Sequence, residues 1–216
     1  MKNKLGTVKN LIQLFDRDLK GIYRWEEIRQ ILFMLFGEYL GWSKIRVHLS
    51  YDEEIDEAAL VLFISALAEL RTGKPVQYIL GKTWFNGNLL TVDSGVLVPR
   101  PETEELCALI GTVLHDRQQH EFQVLDIGTG SGCIAIDLKK RFPLAAVAAI
   151  DNSSAALEIA SKNARENGCK IKFLQADIMN INDQAGLATY DVIVSNPPYV
   201  TESEKKLMNR NVLEFE

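Results

Sequence analysis

A glycine-rich segment after an apolar run is the feature that most constrains how this chain can fold. The segment reads Asp126-Ile127-Gly128-Thr129-Gly130-Ser131-Gly132, and a helical pattern begins at 133. Glycines allow a tight turn and a close approach of the backbone to a ligand. The start of the following helix offers free N–H groups and a positive dipole end. The segment therefore predicts a ligand-binding turn between a strand and a helix.

Strands and helices alternate through the second half of the chain. Helical patterns occupy 133–141 and 153–167, and apolar runs predict strands at 122–126, 145–151, 171–175 and 191–195. Continuous apolar runs are typical of a parallel sheet that is covered on both faces. The alternation therefore indicates a doubly wound, Rossmann-like α/β domain.

The first part of the chain has a different pattern, because apolar residues recur at helical spacing over 3–72. One of these stripes includes Leu62, Phe63 and Leu70. Helices with one apolar face pack on each other, so a small helical bundle is expected. Asn86-Gly87 then predicts the turn of a β-hairpin.

These patterns divide the chain into three predicted parts. A helical domain spans 1–74, a linker that contains the hairpin spans 75–98, and an α/β domain spans 99–216. The fold class is therefore α/β, with a small N-terminal helical bundle and a linking hairpin.

Composition excludes several classes of protein. The chain has 24 Lys and Arg against 29 Asp and Glu, and it lacks the basic stripe of a nucleic-acid-binding protein, so its charge disfavours nucleic acid as a partner. Its apolar runs are shorter than the roughly 18 residues of a membrane span. Three cysteines without a CxxC spacing favour a reduced, cytoplasmic protein. No metal-ligand cluster is visible in the sequence.

Three acidic residues follow or end the predicted strands. Asp126 would repel a pyrophosphate and suits a ligand that carries an ammonium or sulfonium group. Asp151 ends the next strand, about 20 residues after the loop, where a carboxylate can bind ribose hydroxyls; its alternative role is a helix cap. Asp177 and Ile178 follow the third strand and suit an adenine edge and face, the alternative being an ordinary loop.

The motif Asn196-Pro197-Pro198-Tyr199 directly follows the fourth predicted strand. The prolines lack N–H donors, so the carbonyls of this segment act only as acceptors. The side chain of Asn196 adds another carbonyl acceptor, and Tyr199 offers a flat face. Convergent acceptors suit a planar NH2 group. A rigid turn is the alternative interpretation, but the position at a carboxyl strand end favours ligand binding.

Together, the glycine loop, the acid-ended strand and the NPPY motif resemble the class I S-adenosylmethionine-dependent methyltransferases that act on planar nitrogens. Two further segments, 73–81 (GKPVQYILG) and 98–104 (VPRPETE), closely resemble the HemK/PrmC family. Members of that family methylate the side-chain amide of the glutamine in the Gly-Gly-Gln loop of peptide-chain release factors.

The resemblance implies a role for each matching position. It implies that S-adenosylmethionine binds, and S-adenosylhomocysteine forms, at Asp126, Ile127, Gly128, Thr129, Gly130, Asp151, Asp177, Ile178 and Asn196. It implies that the substrate amide binds at Asn196, Pro197, Pro198 and Tyr199, with Asn196, Pro197 and Tyr199 catalytic. The implied partners are class 1 release factors, docked by the helical domain.

The resemblance also implies that the chain is truncated, because relatives continue beyond 216 and a class I sheet has further strands. On this interpretation, the methyltransferase domain at 99–216 lacks its last strands. Two other functions therefore remain open. One is methylation of an exocyclic amine in nucleic acid, and the other is an inactive truncated module that only binds.

Overall fold

The computed structural model describes residues 6–117, 120–180 and 189–197, and the chain divides into two compact units between 80 and 81. The first unit is helical, as the sequence predicts. Its helices are α1 (Val8–Leu19), α2 (Trp25–Leu40), α3 (Lys44–Leu49), α4 (Glu57–Leu70) and α5 (Val76–Leu80). Among the described residues, no helix is long and apolar enough to cross a membrane.

Phe63 is at the centre of the first unit's core. Its ring lies 4.8 Å from that of Phe36, 5.2 Å from that of Tyr39 and 6.5 Å from that of Phe15, measured between centroids. Phe15, Phe36 and Phe63 are fully buried. The apolar stripes therefore form a core, although Leu62, at 47% exposed, lies outside it.

The second unit begins with the predicted hairpin, which comprises β1 (Lys82–Phe85) and β2 (Asn88–Thr91). Asn86 and Gly87 form its turn with φ values of 45° and 75°. Positive φ at both central residues is typical of the two-residue turn that matches the twist of a hairpin. The helix α6 (Pro101–Val113) follows, with proline in its first turn.

A parallel sheet of four strands forms the body of the second unit and confirms the predicted α/β domain. Its strands are β3 (Gln123–Ile127), β4 (Ala146–Asp151), β5 (Lys172–Gln175) and β6 (Val192–Ser195), in the order β5-β4-β3-β6. The chain moves from β3 through β4 to β5 in one direction, and β6 then lies on the other side of β3. This reversal is the topological switch point where open α/β sheets bind ligands.

Two helices connect the first three strands and pack on the sheet. They are α7 (Cys133–Arg141), which contacts β3 and β4, and α8 (Ser154–Glu166), which contacts β4 and β5. The two helices approach closely at Gly132, where an added Cβ would lie 3.1 Å from Cβ of Ala160 and 3.3 Å from its Cα. Gly132 also has a φ of 82°. Its lack of a side chain therefore permits both the turn and the packing.

Replacement of Gly132 with alanine should destabilise the chain more than replacement of Gly168. Gly168 has a φ of 68°, but an added Cβ there would meet nothing within 4 Å. The free energy of unfolding should fall by about 1–2 kcal/mol for Gly168→Ala, from backbone strain alone. It should fall by about 2–5 kcal/mol for Gly132→Ala, which adds overpacking against α8. Urea unfolding checks this, and equal losses would show that Ala160 yields to the new methyl group.

Candidate functional site

Parallel pairing brings four of the predicted residues to one edge of the sheet. Asp126 pairs in register with Ala149 of β4 and Val194 of β6, and Asp151 ends β4 opposite Gln175. Asp177 follows β5, and Asn196 directly follows β6. Because the strands all run in the same direction, these residues gather at the carboxyl ends on either side of the switch point.

The glycine loop is held against the end of β4. The N–H groups of Gly128 and Thr129 both donate to the carbonyl of Ile150, at 2.9 and 3.0 Å. Gly128 and Gly130 have φ values of 70° and 53°, and an added Cβ would meet nothing within 4 Å at either position. The loop therefore has the turn that the sequence predicts, with open space beside its glycines for a close ligand.

Asp151 fixes this loop through its carboxylate. Its Oδ2 accepts the N–H of Gly130 at 2.9 Å, and its Oδ1 accepts the N–H of Ser153 at 3.0 Å. Ser153 is the N-cap of α8, and its own hydroxyl accepts the N–H of Ala156. Each carboxylate oxygen has a second lone pair, so Asp151 can support the loop and still accept hydrogen bonds from a ligand.

Asp126 is almost wholly buried beneath the loop, with 1% of its surface exposed. The hydroxyl of Thr129 donates to its Oδ2 at 2.6 Å. Burial, with a smaller contribution from the charge of Asp151, raises the pKa of Asp126 to about 6, although hydrogen bonds from the Thr129 hydroxyl and the Ala135 backbone oppose the shift. A ligand with positive charge would relieve the repulsion between the two carboxylates.

Asp177 and Ile178 occupy the end of the edge beyond β5. The carboxylate of Asp177 accepts the N–H of Met179 at 2.9 Å and Nδ2 of Asn180 at 2.6 Å. These bonds shape a single 3-10 turn at Ile178–Asn180. The side chain of Ile178 is 45% exposed, so an apolar surface is available next to the carboxylate.

Asn196 is half-buried, and its side-chain position is tied to α6. Its Nδ2 donates to Oγ1 of Thr103 at 2.8 Å. The preceding residue, Ser195, donates from its hydroxyl to the carbonyl of Ile127 at 2.9 Å, which joins the ends of β6 and β3. Pro197 is the last described residue of the motif, and the predicted sites Pro198 and Tyr199 lie outside the described residues.

Two residues that support the site are missing from the sequence predictions. Thr103 contacts Asn196. The surrounding VPRPETE segment is part of the family resemblance, but the sequence predicts no role for Thr103 itself. Asn163, fully buried on α8, donates from Nδ2 to the carbonyls of Ser131 and Thr91, both at 2.9 Å. It thereby joins the glycine loop to the hairpin. Its only sequence signal is a polar residue among the alanines on the apolar face of α8.

Replacement of Asp126 with asparagine should change how stability depends on pH in the ligand-free chain. The folded-state pKa of Asp126 is about 6, above the ordinary value of 3.8, so the folded chain holds this proton more strongly than the unfolded chain. Wild-type folding is therefore penalised as pH rises between these values, by on the order of 2–3 kcal/mol in total. Asp126→Asn has no such penalty.

Urea unfolding of both chains near pH 4 and near pH 7.5 measures this difference. The free energy of unfolding of the variant minus that of wild type should be larger at pH 7.5 than at pH 4, by on the order of 2–3 kcal/mol. A difference that stays constant between the two pH values would show that Asp126 ionises in the folded chain as readily as in the unfolded chain.

Two family models match this chain, one in each unit. The methyltransferase small domain matches residues 107–214, and the PrmC N-terminal domain matches residues 11–81. Together they cover the candidate site and most of the helical unit.

Several relatives are similar over nearly the whole chain. A release factor glutamine methyltransferase of Flavobacterium psychrophilum is 40% identical over 210 residues, which are 97% of this chain and 73% of that protein. One of Bacteroides thetaiotaomicron is 40% identical over 200 residues, 93% of this chain and 70% of that protein. A solved 16S rRNA N2 G1207 methyltransferase of T. thermophilus, in complex with AdoMet and guanosine, is 25% identical with a TM-score of 0.46. It matches over 56% of this chain and 33% of its own.

The resemblance noted in the sequence is thus confirmed by matches in both units and by identity that extends across almost the full chain. The chain belongs to the family of release factor glutamine methyltransferases.

Proposed function

We propose that this chain transfers the methyl group of S-adenosylmethionine to the side-chain amide of the glutamine in the Gly-Gly-Gln loop of class 1 peptide-chain release factors. The observation that carries the proposal is the shared edge of the sheet. There the glycine loop and Asp151 lie on one side of the switch point, and Asn196 lies on the other. The proposed cofactor site and the proposed amide site are therefore next to each other in one chain of this family.

The residues along this edge fit the chemistry of the cofactor. Its methionine part carries positive charge, which suits a loop above the buried carboxylate of Asp126. Gly128 and Gly130 leave space where a side chain would stand. Asp151 would accept the ribose hydroxyls through lone pairs that its backbone bonds leave available. Asp177 and the exposed side chain of Ile178 would hold the adenine.

Asn196 and Pro197 would bind the substrate amide. An amide nitrogen is a weak nucleophile because its lone pair is delocalised, and the bound cofactor supplies an activated methyl group on sulfur. The side-chain carbonyl of Asn196 and the backbone carbonyl of Pro197 can accept the two N–H groups of the amide. These acceptors would orient the nitrogen and stabilise positive charge as it develops there. Correct orientation of two reactants removes up to about 7–11 kcal/mol of barrier.

The net charge of the chain and the substrates of its family both favour a protein partner over nucleic acid. The chain has a net charge of -5, and the candidate edge carries three carboxylates, which would repel phosphates. The proposed partners are therefore class 1 release factors. We also infer a cytoplasmic location, for which the three free cysteines give support.

Transfer of labelled methyl to a purified class 1 release factor tests the proposal. A release factor whose loop glutamine is replaced by alanine serves as the matched control, and DNA and ribosomal RNA serve as competing substrates. Label in the wild-type factor alone is expected. Label in nucleic acid, with the steep salt dependence of phosphate binding, would instead support an exocyclic-amine methyltransferase.

Asn196→Ala should strongly slow turnover while cofactor binding persists. The variant lacks a side-chain acceptor for the amide but leaves the glycine loop and Asp151 intact. We expect a rate about 100-fold or more below wild type, as when one stabilising hydrogen-bond partner is removed from an active site. The dissociation constant of S-adenosylmethionine, measured by calorimetry, should change little. A rate close to wild type would refute the role of Asn196.

Asp151→Ala should mainly weaken cofactor binding. It removes the ribose acceptor and also the bonds that hold Gly130 and Ser153. The dissociation constant should rise by about 10-fold or more, since hydrogen bonds to a charged group contribute roughly 1.5–3 kcal/mol. Asp52→Ala, which removes an exposed acid from the helical unit, is the charge-matched control. Equal constants for the two variants would contradict the assignment.

A further inference from the structure

Thr103 is a buried polar residue whose hydroxyl lies at the candidate amide site. It is the third residue of α6 and is 4% exposed. Its Oγ1 lies 2.8 Å from Nδ2 of Asn196, which is 93 positions further along the chain. We propose that Thr103 is a positioning residue that holds the side-chain amide of Asn196 in the orientation required to bind the substrate amide. This inference rests on the proposed function.

The two ends of an asparagine amide have opposite hydrogen-bonding roles. The NH2 end only donates, whereas the carbonyl end only accepts. In the structure the NH2 end of Asn196 faces Thr103, so Oδ1 faces away from it. A substrate amide also presents NH2 donors, and only Oδ1 can accept them. With the Asn196 side chain rotated by half a turn, its NH2 end would face the NH2 group of the substrate amide, and two donors would lie against each other.

The first turn of α6 is a suitable support for this role because it is fixed on several sides. Pro101 occupies the start of the helix, and the N–H of Thr103 donates to the carbonyl of Arg100 at 3.0 Å. Glu104 accepts the backbone N–H of Asn86 at 2.8 Å, which attaches this turn to the hairpin. One turn later, Cys107 is completely buried. A group that must be placed accurately benefits from support on such a rigid element.

Loss of the hydroxyl should therefore affect the chemical step more than binding of the cofactor. Thr103 contacts the side chain that binds the substrate amide, whereas the glycine loop and Asp151 are held by their own hydrogen bonds. A small misplacement of a group at the reacting centre can lower a rate by about 100-fold.

The test compares Thr103→Val, which keeps the shape but removes the hydroxyl, with Thr103→Ser, which keeps the hydroxyl. Thr112→Val is the matched control, because the Thr112 hydroxyl lies on the exposed side of the same helix and donates to the carbonyl of Ala108. At saturating cofactor, Thr103→Val should lower kcat for methyl transfer by about 10- to 100-fold. Thr103→Ser and Thr112→Val should stay within about threefold of wild type, and the Kd of S-adenosylmethionine should stay within the same range in all variants.

A second readout follows the Asn196 amide itself. The side-chain NH2 signals of Asn196 in an NMR spectrum can be identified by their loss in Asn196→Ala. Their protons should be protected from solvent exchange in wild type and in Thr103→Ser, and exposed to it in Thr103→Val. Unchanged protection in Thr103→Val would overturn the inference, whether or not the chain transfers methyl groups.

The kinetic outcomes separate this inference from the proposed function. Wild type that transfers no methyl would refute the proposed function, and the NMR comparison would still decide the role of Thr103. Wild-type transfer with an equally fast Thr103→Val would overturn the positioning role alone. An equal loss in Thr103→Val and Thr103→Ser would also overturn it, because Thr103→Ser keeps the hydroxyl and should then keep the rate.

Discussion

The parallel pairing of β3 with β4 on one side and β6 on the other determines where the candidate site lies. Since β3 is central, the chain reverses its direction of winding beside it, and the carboxyl ends of its neighbours meet at that point. The glycine loop follows the end of β3, and Asn196 follows the end of β6. A change of strand order would separate these two elements even if every residue kept its local conformation.

The electrostatics of this edge favour the binding of a cationic ligand and lower the stability of the ligand-free chain. Asp126 is buried, and the nearby charge of Asp151 raises its pKa further. At neutral pH this arrangement lowers the stability of the ligand-free chain. A positively charged group near both carboxylates would reverse that effect, and binding to the folded state alone would stabilise the fold. The same residues thus link ligand binding to stability.

The sequence predicts the elements well because their signals are local. The strand ends, the Asn86-Gly87 turn and the glycine loop each depend on residues close together in the chain. The structure has the turn and the loop where expected and the strand ends within one residue of their predicted positions. Leu62 departs from its predicted burial because helical spacing gives the direction of a stripe but not its width, which depends on the neighbouring helices.

Contacts between distant segments could not be predicted in the same way. The hydrogen bond from Asn196 to Thr103 and those from Asn163 to Thr91 and Ser131 join residues far apart in sequence. No periodicity encodes such pairs, since each depends on how two elements are packed. The family resemblance marked the VPRPETE segment as important, but the geometry gives Thr103 its role.

Localisation of the methyl group by mass spectrometry tests the central claim most directly. The chain would be incubated with S-adenosylmethionine and a class 1 release factor, and the peptides of the factor would then be fragmented. The account predicts one added methyl group on the side-chain nitrogen of the glutamine in the Gly-Gly-Gln loop. A methyl group on another residue, or an unmodified glutamine with cofactor bound to the chain, would contradict it.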